Sequence, residues 1–202
     1  MKDEGMLVGI MDGVQCWDSS FLIQAVVRCG LGEDPKYKDM LTRALGFLES
    51  QQIREECKEQ DFSYRHSRRG AWPISKRKQG YTVSDTTTEG LKAVLQAQSL
   101  RGIPKLVSEN RLADTLHLLL GMQNPSGGFA SYELIRAGPW LERLNAMAEV
   151  LGRVMVEYPY SECTSSAVMG LQEFATQFPS HQLCTEIKNV VRRGLHTPSA
   201  GG

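Results

Sequence analysis

The chain has 202 residues, enough for one domain of ordinary size with a real core. Lys and Arg number 23 and Asp and Glu also number 23, so the formal net charge is zero, which argues against a nucleic-acid partner. No apolar run reaches the ~20 residues of a membrane-spanning helix, so the chain is expected to be soluble or to lie on a membrane face without crossing it.

Taken in order, Phe21, Leu22, Ala25 and Val26 recur at helical spacing and predict a first helix, and Leu41, Ala44, Leu45, Phe47 and Leu48 predict a second. The densest basic run follows, Arg65, Arg68, Arg69, Lys76, Arg77 and Lys78, and reads as a solvated loop, with a membrane-headgroup contact as the alternative. Leu91, Ala93, Val94, Leu95 and Ala97 begin a third helix. Leu112, Leu116, Leu119 and Leu120 form a fourth, ended by Asn124-Pro125-Ser126-Gly127-Gly128. Later helices are expected over 142–156, 163–178 and 181–195, with Pro159 and Pro179 at their boundaries. Strand alternation is scarce, so the fold class is all-α. The five cysteines, odd in number and without zinc-knuckle spacing or a signal peptide, point to free thiols in a reducing compartment. His66, His117, His181 and His196 form no metal pattern, and no metal or other cofactor is expected.

The helices repeat as units. Trp17-Asp18-Ser19-Ser20-Phe21, Ser84-Asp85-Thr86-Thr87-Thr88 and Glu162-Cys163-Thr164-Ser165-Ser166 each open an apolar helix with small hydroxyl residues. Gln51 with Gly70-Ala71-Trp72, and Gln123 with Gly127-Gly128-Phe129, close the second helix of the first units. Self-similarity of this kind marks stacked helical hairpins, none of which buries its own face alone. Gln51, Trp72, Gln123 and Phe129 are read as stability residues that join neighbouring hairpins.

Arg43-Ala44-Leu45-Gly46-Phe47-Leu48-Glu49-Ser50-Gln51, closed by Gly70-Ala71-Trp72, resembles the QW repeat of triterpene cyclases and squalene–hopene cyclases. The unit Met122-Gln123-Asn124-Pro125-Ser126-Gly127-Gly128-Phe129-Ala130-Ser131-Tyr132-Glu133 is similar to the same family, as are Gly13-Val14-Gln15-Cys16-Trp17-Asp18 and Glu157-Tyr158-Pro159-Tyr160-Ser161-Glu162-Cys163. The ordered set covers most of residues 1–195 and is nearest to fungal, lanosterol-synthase-like oxidosqualene cyclases. The resemblance implies an incomplete α/α barrel (toroid) of helical hairpins, with 1–195 belonging to the catalytic barrel and 196–202 an unrelated, disordered tail. In that fold the inner helices aim their N-termini at a cavity, which would put Asp18, Asp85 and Cys163 at comparable positions.

The chemistry implied is protonation and cyclisation of (3S)-2,3-oxidosqualene to lanosterol or a related triterpene. It needs a strong acid in a dry pocket and π-faces for the migrating cation. Asp85 matches the proton donor of the family's Asp-Cys-Thr-Ala-Glu motif, and an ordinary helix N-cap on the Thr87 or Thr88 N–H is the alternative reading. Asp18 is read as such an N-cap. Cys163 matches one of two thiols that hydrogen-bond to the acid, and Thr86 replaces the other. Trp17 and Tyr132 match aromatics that line the cavity; Ile74 stands where the family has an aromatic, which removes a cation–π face. Glu89 is expected to make a capping or supporting hydrogen bond.

The resemblance further implies an oxidosqualene-like lipid substrate, no defined protein partner, and monotopic attachment to the endoplasmic reticulum or lipid droplets. Val191-Arg192-Arg193-Gly194-Leu195 resembles the start of another repeat that breaks off at His196, so a truncated piece is expected. A catalytically inactive fragment is the alternative function, and a generic helical-repeat binding module is a third. Protein prenyltransferase β-subunits share the barrel, but their zinc ligands have no counterparts in this sequence.

Overall fold

The computed structural model describes residues 13–62, 64–144 and 155–196. Its α-helices are α1 (Gln15–Arg28), α2 (Pro35–Gln51), α3 (Ser84–Ser99), α4 (Glu109–Gly121), α5 (Ser161–Gln177) and α6 (Cys184–Leu195). The described residues contain no strand, only isolated antiparallel bridges that join Phe129 to Gln123 and to Tyr160. α2 opens on Asp34, whose carboxylate accepts the Lys36 N–H at 2.9 Å, while Pro35 occupies the first turn, where no N–H is needed. The expected helix over 142–156 is replaced at its start by a short 3-10 stretch, Pro139–Leu144; residues 145–154 lie outside the described residues.

Consecutive helices pair, and the pairs stack. α1, α3 and α5 lie side by side with α3 in the middle; α2 and α4 pack on α3, and α6 packs on α5 and α4. Surrounded by four neighbours, α3 is buried without interruption from Thr86 to Leu95. A helix so enclosed loses its polar face, and every hydrophilic residue it carries needs an internal partner. Glu89 and Lys92 supply one another at 2.7 Å. Glu89 also accepts Gln24 Nε2 of α1 at 2.7 Å and the Ser166 hydroxyl of α5 at 2.8 Å. Glu89 therefore ties three helices together and caps none of them.

α1, at one end of the row, is enclosed on one side only. Ile23 and Val26 are buried, but Phe21 and Leu22 of the expected stripe stand 43% and 50% exposed. α2 follows its pattern, with Leu41, Leu45 and Leu48 fully buried and Ala44 and Phe47 packed at the margin.

The joints between hairpins use the same bonds twice. Gln52 Nε2 donates to the carbonyls of Gly70 (3.3 Å) and of Arg111 (3.1 Å), on the next outer helix, α4. Gln123 Nε2 donates to those of Gly127 (2.8 Å) and of Val190 (2.8 Å), on α6. The joint glutamine is thus Gln52, not Gln51; Gln51 is half-buried and bonds Ser50 Oγ and the Arg77 N–H. Gly70 and Gly127 share a left-handed φ, 92° and 93°. A Cβ on Gly70 would come within 2.5 Å of the α4 backbone at Asp114, so only glycine permits this approach.

Candidate active site at the inner-helix N-termini

Each joint leads into a short extended corner that links two inner helices. In the first, Trp72 N–H donates to Thr87 Oγ1 of α3 at 3.1 Å, and the Ile74 carbonyl accepts the Cys16 N–H at the start of α1 at 3.0 Å. In the second, Phe129 N–H donates to Thr164 Oγ1 of α5 at 2.9 Å, and the Ser131 carbonyl accepts the Ser84 N–H at the start of α3 at 2.8 Å. The bonds donated by Cys16 and Ser84 satisfy first-turn N–H groups that a helix leaves open, and the other two fasten the corner's own N–H groups to threonine hydroxyls. They also set a register in which Cys16 corresponds to Ser84, and Thr87 to Thr164. Asp85 is therefore level with Trp17 and Glu162, whereas Cys163 is level with Thr86 and Asp18. The expected equivalence of Asp18, Asp85 and Cys163 is off by one residue.

Asp85 is partly buried in the first turn of α3, whose N-cap position is Val83. Its Oδ1 accepts the Thr86 N–H at 2.7 Å, and no bond to the Thr87 or Thr88 N–H is made. Burial pushes its pKa up. The N–H groups of Thr86 and of Asp85 itself pull it down, the Glu89 charge one turn away raises it, and the Cys163 thiol lowers it. Cys163 Sγ lies 3.9 Å from Asp85 Oδ2 and 3.4 Å from Ser131 Oγ. Burial raises the thiol's own pKa most, with the Ser131 bond lowering it and the Asp85 charge raising it. The net effect is a carboxyl held protonated to higher pH than usual, facing a neutral thiol.

Thr86 lends this carboxyl its backbone N–H and not its hydroxyl. The side chain is fully buried, and its Oγ1 bonds to nothing among the described residues. Tyr132 is 44% exposed; burial, then the charges of Glu157, Asp85 and Cys163, raise its phenol pKa. Trp17 and Ile74 meet at the first corner, where the Trp17 N–H reaches the Ile74 carbonyl at 3.2 Å and the ring packs edge-on against Phe21 at 4.8 Å. Burial pushes the pKa of neighbouring Cys16 to about 12, and its thiol donates to the Ser75 carbonyl at 2.7 Å, a structural role. Asp18 is exposed in the first turn of α1, whose N-cap residue is Val14, so it is not the cap expected of it.

A cleft of about 390 Å³ opens beside Tyr132, lined by Arg65, His66, Arg69, Asp114 and Glu133. Its charges are paired: Glu133 takes Arg65 at 3.1 Å and His66 at 3.0 Å, and Asp114 takes Arg69 at 3.0 Å. Half of the basic run is thus fastened into ion pairs or backbone bonds, while Lys76, Arg77 and Lys78 remain exposed. Three residues of consequence escaped the sequence reading: Gln52, hidden by its neighbour Gln51; Lys92, hidden because a charged residue inside an apolar helix reads as its solvent face; and Ser131. In that register Ser20 and Thr88 correspond, each donating its hydroxyl four residues back, to the Cys16 carbonyl at 2.7 Å and the Ser84 carbonyl at 2.8 Å; the matched hydroxyl residues were the sign the sequence offered.

No family model matches the chain. It is 50% identical over 192 residues to the lanosterol synthase of Gibberella zeae, covering 95% of this chain and 25% of that protein. It is 50% identical over 195 residues to the lanosterol synthase of Pneumocystis carinii, covering 96% and 27%. It is 40% identical over 192 residues to protostadienol synthase A of Neosartorya fischeri, covering 95% and 26%. Fold and site define a protein of stacked helical hairpins that gathers a partly buried acid and a thiol at the N-termini of α3 and α5. The chain belongs to the triterpene cyclase family, among the oxidosqualene cyclases, and it spans about a quarter of the length of the relatives it matches.

Proposed function

We propose that this stretch is part of the catalytic α/α barrel of an oxidosqualene cyclase, and that Asp85 is its proton donor. The observation that carries the reading is the Asp85 carboxyl itself, pushed toward its neutral form by burial while a thiol stands 3.9 Å away. A neutral carboxyl can protonate an epoxide; the adjacent N–H groups and thiol then receive the carboxylate left behind. The epoxide C–O bond breaks as its oxygen takes the proton, an alkene of the same chain attacks the carbon, and a proton lost at the end makes the reaction an isomerisation. The substrate is a (3S)-2,3-oxidosqualene-like lipid and the product lanosterol or a related triterpene such as protostadienol, in line with the names of the relatives.

Trp17 and Tyr132 supply π-faces for the cation, and Ile74 supplies bulk without a quadrupole, at a difference of about 0.5–2 kcal/mol per contact. Residues 1–195 belong to that barrel, and the attachment is to one face of the endoplasmic reticulum or lipid-droplet membrane. No described helix is long and apolar enough to cross a membrane. In a cyclase polypeptide that carries this stretch, Asp85→Asn lowers oxidosqualene turnover by at least ~100-fold, measured by product chromatography; near-normal turnover removes Asp85 from the role. The second reading is that the 202-residue chain alone is an inactive piece. It is favoured by the exposed apolar side of α1 at Phe21 and Leu22, and turnover by the purified chain overturns it.

A further inference from the structure

We propose that Ser131 is a positioning residue that fixes the Cys163 thiol on Asp85, an inference that rests on the reading of Asp85 as the acid. The segment from Phe129 to Ser131 is clamped between the two helices that carry the pair. On the α3 side, Ser84 donates its N–H to the Ser131 carbonyl at 2.8 Å and its hydroxyl to the Ala130 carbonyl at 2.7 Å. On the α5 side, Phe129 donates to Thr164 Oγ1 at 2.9 Å and accepts the Tyr160 N–H at 2.9 Å. Asp85 follows Ser84 directly, and Cys163 directly precedes Thr164. Ser131 Oγ is thereby held 3.4 Å from Cys163 Sγ.

The protons of this chain have one favourable arrangement. The thiol has a single proton, with a carboxyl oxygen at 3.9 Å and the Ser131 hydroxyl oxygen at 3.4 Å in reach and the Ser84 hydroxyl close by as a weaker partner. A carboxylate is the stronger acceptor and a hydroxyl a stronger donor than a thiol. Once Asp85 has given up its proton, the Ser131 O–H therefore points to sulfur and the S–H to Asp85 Oδ2. Ser84, the other hydroxyl near the thiol, directs its proton to Ala130. The first corner makes the contrast: Ile74 occupies the position equivalent to Ser131, has no hydroxyl, and faces a helix start that carries Trp17 where α3 carries Asp85. At this position a hydroxyl stands beside the acid, and the corner without an acid carries an isoleucine there, its nearest hydroxyl, Ser75, being engaged by Gln79.

The test is a titration of the Asp85 carboxyl by NMR in the 202-residue chain with isotope-labelled aspartate. The other ionisable groups coupled to this site, Glu89, Tyr132 and Glu157, are left in place. Ser131→Ala should raise the Asp85 midpoint by about half a pH unit, the equivalent of a weak hydrogen bond. Ser131→Thr should return it, and Ser131→Ala should add nothing in a Cys163→Ala background. Ser131→Val against Ser131→Thr repeats the comparison at constant side-chain shape should the alanine variant fold poorly. An unmoved midpoint overturns the proposal, and so does an undiminished shift in the Cys163→Ala background. Failure of the acid reading is seen separately, as cyclisation surviving Asp85→Asn in the longer enzyme, which leaves this titration unaffected.

Discussion

Asp85 lies in the first turn of α3, where the helix dipole and two backbone N–H groups favour its ionised form, yet burial outweighs them and raises its pKa. The consequence for stability has a definite sign. A carboxyl whose folded pKa is raised contributes stability fully below its unfolded value of about 4, and loses it as pH rises through the folded pKa. Asp85→Asn is therefore expected to be more stable than the parent at pH 7, with the gap closing toward about pH 4, in urea unfolding followed by circular dichroism. Gain of stability with loss of activity is the signature of a site strained for function. Thr86 offers a second residue-scale test. Its buried hydroxyl has no partner among the described residues, so Thr86→Val should raise stability by about 1 kcal/mol. In the longer enzyme the same change should leave turnover close to that of the parent, because the acid is held by the Thr86 N–H and not by its hydroxyl.

At the scale of elements, the contact of α3 with α5 depends on one missing side chain. A Cβ on Gly170 would stand 2.2 Å from Thr88 Cγ2, so the helices close because residue 170 is glycine. Gly170→Ala is expected to cost about 1–3 kcal/mol through overpacking. Thr88→Ser removes the offending methyl while keeping the hydroxyl bond to the Ser84 carbonyl, and should recover most of that loss when combined with Gly170→Ala. A denaturation series on the two single variants and the double measures the coupling, and simple additivity would contradict this account. α3 was legible as a helix from Leu91, Val94 and Leu95. Its polar residues were not, because Glu89 finds Gln24 on α1 and Ser166 on α5, helices remote in sequence, and the Lys92 charge is buried with it.

For the whole molecule, stacking order decides which apolar residues are covered. α3 packs against four other helices, whereas α1 at the end of the row leaves Phe21 and Leu22 exposed, and Val14 and Leu31 just outside its two ends are exposed as well. Exposed apolar strips of this kind promote association. In sedimentation experiments the isolated chain should self-associate with rising concentration. Phe21→Ser with Leu22→Ser should suppress that while changing stability by no more than about 0.5 kcal/mol per site.

The sequence by itself determined the all-α class, most helix spans, the repeat of hairpins and the family, since apolar spacing, helix breakers and ordered motifs are local properties. It also singled out Asp85 and Cys163. Only the tertiary structure decided the register of the repeats, the choice of Gln52 over Gln51, the idle hydroxyl of Thr86 and the place of Ser131 beside the thiol. Each of these depends on which backbone group arrives from another hairpin. Helical periodicity says which face of a helix is buried, but not whose carbonyl or hydroxyl waits there.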